Sequence, residues 1–189
     1  MSDVAALWLP IVVSAILVFL ASSIIHMLSP WHKSDYPKLQ NEEAVLDALR
    51  PLAIPPGDYM MPRPSSRAEM RTPEFAERMK RGPVVVFTVM PSGGRSMGRS
   101  LGLWFLYCLV VSAFAALVAG RMVPSHGASH QGIFKLVSVV AFVGYSLALW
   151  QLSIWYSRAW STTIKATIDG LIYALLTGAA FTHLWHLWR

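Results

Sequence analysis

The sequence predicts an all-α integral membrane protein: a four-transmembrane-helix bundle with a small cytoplasmic α/β segment between helices 1 and 2. Polar or interfacial residues bracket four apolar stretches at intervals of 22 or 23 positions, Trp8 to Trp31, Arg99 to Arg121, Lys135 to Arg158 and Lys165 to Trp188. At about 1.5 Å of rise per helical residue each interval covers about 33–35 Å, slightly more than a hydrocarbon core of about 30 Å. With 54% of residues apolar and 14% charged, the chain suits a polytopic membrane protein better than a secreted or disordered one. Residues 30–100 break this pattern, turning polar and Pro-rich with orderly helix and strand punctuation.

The first helix is expected over 4–29. The run from Val4 to Leu28 is preceded by one charged side chain, Asp3, and ends in Ser29-Pro30-Trp31-His32. A secretory signal begins with Lys or Arg, carries an apolar region of about 7–15 residues and ends at small residues, so this run reads as a retained span. Pro10 falls in its first two turns, where a missing N–H costs little.

Within 30–100 two short helices are expected. Asn41 is placed to cap the first, in which Val45, Leu46 and Leu49 form an apolar side, Glu42 and Glu43 open it, Arg50 closes it and Pro51 stops it. Thr72 caps the second, with Pro73 at its first position, Glu74 in its first turn, Phe75 and Met79 on one side, and Lys80-Arg81-Gly82-Pro83 as its end. A helix of about nine residues is marginal alone and needs a surface to lie on. The run Val84-Val85-Val86-Phe87-Thr88-Val89-Met90 reads as a strand ended by Pro91-Ser92-Gly93-Gly94, and Tyr59-Met60-Met61 is its best partner. The basic Gly93–Ser100 stretch lacks the phosphate-binding pattern G-x-x-x-x-G-K-[ST] and reads as a juxtamembrane hinge.

Residues 101–189 hold the remaining helices, over about 101–123, 133–157 and 164–188. Lipid does not drive apolar helices together, so close packing relies on small side chains. Ser112, Ala116 and Gly120 in helix 2, Gly144 and Ala148 in helix 3, and Gly170, Ala174 and Gly178 in helix 4 recur at a spacing of four and are the expected packing stripes.

Orientation follows the positive-inside bias. Lys33, Lys38, Arg81, Arg95, Arg99, Arg158 and Lys165 flank one face; Arg121, Lys135 and Arg189 flank the other. The expected topology puts both termini outside and residues 30–100 in the cytoplasm, in a bacterial plasma (inner) membrane. The net charge is +6, and most of the Lys and Arg residues lie in that inter-helix segment, where the membrane accounts for them without a nucleic-acid partner. The lone Cys108 lies in an apolar stretch and reads as a small hydrophobe.

No complete catalytic or nucleotide-binding signature is present, and no catalytic residue is assigned. Lys165 and Asp169, one turn apart at the start of helix 4, are the polar membrane candidates, expected to pair at i, i+4 near the interface. His126, His130, His183 and His186 all fall on the predicted outer face and are candidate ligands for copper, zinc, iron or haem. They lack an H-E-x-x-H pattern and an orienting carboxylate, so no resident cofactor is predicted. His26, His32 and Asp35 read as an interfacial group at the other end of helix 1, with no supporting nucleophile motif.

The leading expectation is therefore a scaffold or accessory subunit of a membrane complex, with the bilayer, other subunits or a second copy as partners. A transporter or channel subunit acting as an oligomer, lined by Asp169, Lys165, Gln151 and Thr177, is the first alternative, and a membrane metal or redox protein using the outer histidines the second.

Overall fold

The computed structural model describes residues 4–93, 96–123 and 129–187. His126, Trp188, the hinge residues Gly94 and Arg95, and Arg189 lie outside the described residues. In chain order the elements are α1 (Trp8–Leu28), α2 (Glu42–Leu49), β1 (Gly57–Met61), α3 (Pro73–Arg81), β2 (Val85–Val89), α4 (Met97–Met122), α5 (His130–Tyr156) and α6 (Trp160–Leu187). Of these, α1, α4, α5 and α6 are long and apolar enough to span a membrane. The chain separates into two compact units, Met1–Pro37 with Met97–Arg189, and Lys38–Ser96.

The helix limits move by a few residues from the sequence expectation, for local reasons. Val4–Leu7 is a 3₁₀ turn leading into α1, not part of it. The Ser129 hydroxyl accepts from the Gly132 amide at 3.1 Å and so caps α5 earlier than hydropathy indicates. Ser157 takes a left-handed φ of 55° and ends α5 before α6 begins at Trp160.

In the four-helix unit the interior is built from small side chains. One core joins Leu7, Ala115, Ala116, Ala119, Ile133, Val137, Phe181 and Trp185; the other joins Ala15, Val18, Cys108, Val111, Ala141, Tyr145, Tyr173 and Ala174. Hydroxyls are buried among them: Ser14 bonds Ser112 at 2.9 Å, and Ser153 lies 2.7 Å from Thr163. Large apolar side chains such as Leu20, Leu106, Phe114, Val139 and Leu171 face outward. Hydroxyls buried beside the apolar cores, with large apolar side chains facing outward, depart from the pattern of a water-soluble bundle.

The α5–α6 pair is in closest contact. A Cβ added at Gly170 would sit 1.9 Å from Ser146 Oγ, and one at Gly178 would sit 2.1 Å from Ser138 Oγ and 3.1 Å from the Phe134 carbonyl oxygen. Ser112, Ala116, Gly120 and Ala174 are buried. Gly144 is solvent-accessible, yet an added Cβ there would meet Val111 at 3.1 Å. Ala148 is exposed, because a 3₁₀ turn over Leu147–Leu149 rotates the helix face at that point.

The second unit is a thin assembly. β1 and β2 pair antiparallel with Gly57 opposite Val89 and Met61 opposite Val85, and Tyr59 stacks on Phe87 at 5.5 Å. Thr72 Oγ1 accepts from the Phe75 amide at 3.2 Å to cap α3, and Gly82 closes that helix with a φ of 59° that glycine tolerates best. Asn41 precedes α2 but makes no side-chain cap; its carbonyl accepts from the Val45 amide at 3.2 Å.

Gly170→Ala and Gly178→Ala should each lower stability by about 1–3 kcal/mol through overpacking. Gly102→Ala, with nothing within 4 Å of the added carbon, should be neutral or slightly stabilising. Equilibrium unfolding of the detergent-solubilised chain compares the three.

Candidate functional site

The last turn of α1, Ile24–Leu28, is π-helical and closes with the Ser29 amide donating to the Ile24 carbonyl at 3.1 Å. Pro30 ends the helix, and two tight turns follow, Lys33 N–H to Pro30 O at 3.1 Å and Asp35 N–H to His32 O at 3.0 Å. This winding brings Trp31, His32, Ser34 and Asp35 against α6, where Lys165 and Asp169 stand one turn apart.

His32 is held between two carboxylates. Its Nδ1 is 2.6 Å from Asp35 Oδ2 and its Nε2 is 2.8 Å from Asp169 Oδ2. Asp169 Oδ1 accepts from the Trp31 indole N–H at 3.1 Å, while Lys165 Nζ donates to Asp35 Oδ1 at 2.9 Å and to Ser34 Oγ at 2.7 Å. Lys165 also lies 5.6 Å from the Trp31 ring centroid, within cation–π range. Side-chain exposure is 4% for Asp169, 8% for Asp35, 16% for His32 and 17% for Lys165, so these charges are mostly withdrawn from water. Burial alone would raise the Asp35 carboxyl, but the His32 and Lys165 hydrogen bonds outweigh it and hold that group below the usual carboxylate range.

An ionised carboxylate only accepts hydrogen bonds. When both carboxyls are ionised, His32 satisfies both only as imidazolium, and the cluster with Lys165 is then neutral. With a neutral ring, one of its two contacts requires a protonated carboxyl or another cation between the atoms. His26 stacks on His32 at 4.2 Å between centroids, with the planes 19° apart. Its ring nitrogens make no hydrogen bond among the described residues. One ligand atom each from His26, His32 and Asp169 lies within 4.8 Å of the others.

The site differs from the expected pairing of Lys165 with Asp169. In the structure Asp169 takes Trp31 and His32, and Lys165 takes Asp35 and Ser34. Sequence alone reads His26, His32 and Asp35 as interfacial residues because the α6 partners of His32 and Asp35 lie 137 and 130 positions away. The local signal was the i, i+3 spacing of His32 and Asp35.

Of the histidines expected on the outer face, His130, His183 and His186 are exposed, and His183 Nδ1 is 2.8 Å from the Ala179 carbonyl oxygen. Among the described residues, the potential ligands that come together in a group of three are His26, His32 and Asp169. Of the expected channel lining, Gln151 is exposed, and buried Thr177 donates to the Tyr173 carbonyl at 2.8 Å. Behind the cluster, Trp104 donates to Ser22 Oγ at 2.8 Å and packs with Tyr145 and Tyr173 at centroid distances of 6.2 and 6.0 Å.

The fold and site together define a mostly helical chain with four membrane-length helices and a charged clasp at one end. Comparison with protein-family models, curated proteins and solved structures gave no match.

Asp169→Asn keeps the shape but removes one of the two carboxylates that bracket His32 and so breaks the buried network, and should cost about 3 kcal/mol. Lys33→Ala, at an exposed neighbour, should change stability by less than about 0.5 kcal/mol. Denaturant titration in detergent measures both.

Proposed function

We propose that this chain is a multi-pass protein of a bacterial plasma (inner) membrane that serves as a scaffold or accessory subunit of a membrane complex. The observation that carries the reading is the incompleteness of the Lys38–Ser96 unit. Among its described residues Phe75 alone is buried, while Val45, Leu46, Leu49, Met60, Val86 and Met90 are exposed. Its sheet has two strands, and an isolated pair is marginal in water without a covering surface. Both strands keep an outer edge open, and such edges accept a further strand from another chain.

The four-helix unit supports placement in a bilayer through its outward apolar and inward polar side chains. The distribution of Lys and Arg supports both termini outside with residues 30–100 cytoplasmic. The segment then lies on the cytoplasmic side, where a partner subunit would cover the hairpin.

Two measurements test this reading. A photo-crosslinking residue at Met60 or Val86 should give a discrete protein adduct in native membranes, whereas one at outward-facing Phe114 should not; a crosslink-free, monodisperse monomer would count against the subunit role. For topology, Ser65→Cys should resist an impermeant thiol reagent in intact cells and react after lysis, with Ser125→Cys reacting in both. Labelling of Ser65→Cys in intact cells reverses the orientation.

A further inference from the structure

The ion-pair network accounts for Asp35, His32, Asp169, Lys165 and Trp31, but it has no use for His26. A second imidazole stacked on one already bracketed by carboxylates gains nothing from charge. Two protonated rings at 4.2 Å would repel, and the His26 nitrogens find no donor or acceptor among the described residues. What the three side chains share is convergence: one ligand atom each from His26, His32 and Asp169 lies within 4.8 Å of the others, and with a neutral His32 ring whose Nδ1–H faces Asp35 the 2.8 Å contact between Nε2 and Asp169 Oδ2 sets two lone pairs against each other unless a cation lies between them.

From this convergence we infer that His26, His32 and Asp169 form a binding site for a divalent first-row transition-metal ion, of the zinc or iron(II) type. Two imidazoles and one carboxylate are the borderline donors such ions prefer over calcium or magnesium. At bond lengths of about 2.0–2.2 Å, tetrahedral ligand atoms lie about 3.3 Å apart. The His32–Asp169 contact of 2.8 Å must open by a few tenths of an ångström, and the exposed His26 ring must swing inward from a separation of at most 4.8 Å.

The surroundings are those of a metal site as well. Asp35 accepts from Nδ1–H of His32 and thereby fixes the tautomer that turns the Nε2 lone pair toward the ion. Lys165 anchors Asp35, and the Trp31 indole holds Asp169 Oδ1, leaving Oδ2 for the ion. Three protein ligands with an exposed third member leave a coordination position open to water or a small ligand, the arrangement of reactive rather than purely structural sites. The site is distinct from the outer histidines, which belong to the opposite helix ends, and it does not depend on the subunit role proposed above.

The test uses the full chain in detergent, carrying a histidine-free affinity tag and stripped with a chelator. Titration with Zn²⁺ or Co²⁺ should give one ion per chain, with a Co²⁺ ligand-field spectrum showing nitrogen and oxygen ligation. His26→Ala and His26→Gln should weaken affinity at least 10-fold while leaving the metal-free melting temperature unchanged, since His26 lies outside the ion-pair network. Asp35→Asn should weaken it about 10–100-fold through the lost orientation of His32. The double variant His183→Ala/His186→Ala should bind as the parent does. Absence of stoichiometric binding, parent-like affinity in both His26 variants, or loss of binding in the outer-histidine variant instead would each overturn the assignment.

Discussion

The contact on which the four-helix unit turns is His32 between Asp35 and Asp169. It links the chain immediately after α1 to the third turn of α6, and it does so with charges that are almost wholly withdrawn from water. A lone carboxylate at that depth would be costly. Here the cost is offset by a matched set: two carboxylates, a lysine, an imidazole and an indole N–H, each with its hydrogen-bonding capacity directed inward. Because attraction between charges rises as the dielectric falls, each of these contacts weighs more than it would in water.

The rest of the helical unit follows a different logic. Away from the clasp, cohesion comes from close approach between backbones. Ser146 and Ser138 fill the space that a side chain at Gly170 or Gly178 would take, and small residues line both cores. Such interfaces gain from dispersion and shape, which still act where the hydrophobic effect does not. A charged clasp at one end and small-residue seams along the length are thus complementary: the seams set how near the helices come, and the clasp sets which residues meet at that end.

The Lys38–Ser96 unit contrasts with both. Its capped helix and paired strands have clear local causes, yet it buries almost nothing. Local signals were enough to form its elements and insufficient to give it a core. That imbalance is the reason for reading it as one half of an interface. It also explains why the function proposed for the chain rests on surface left uncovered, while the metal site rests on side chains brought together.

How much was legible in the sequence differs by scale. The four long helices were, because an apolar run of membrane length is a local property; so were the Thr72 cap and the Gly82 stop, set by nearby residues, and the pairing of Tyr59-Met60-Met61 with the Val84–Met90 run, whose unpaired apolar strand required a partner. The exact helix limits were not, since the Ser129 cap and the left-handed Ser157 outrank hydropathy at the ends. The clasp was not legible either. His32 and Asp169 are each ordinary in their local settings, and the obvious helical partner of Asp169 was Lys165. Only the tertiary structure decided that Trp31 and His32 take Asp169 while Lys165 reaches Asp35, because a hydrogen bond depends on distances of about 3 Å and chain proximity carries no information about it across 130 to 138 positions.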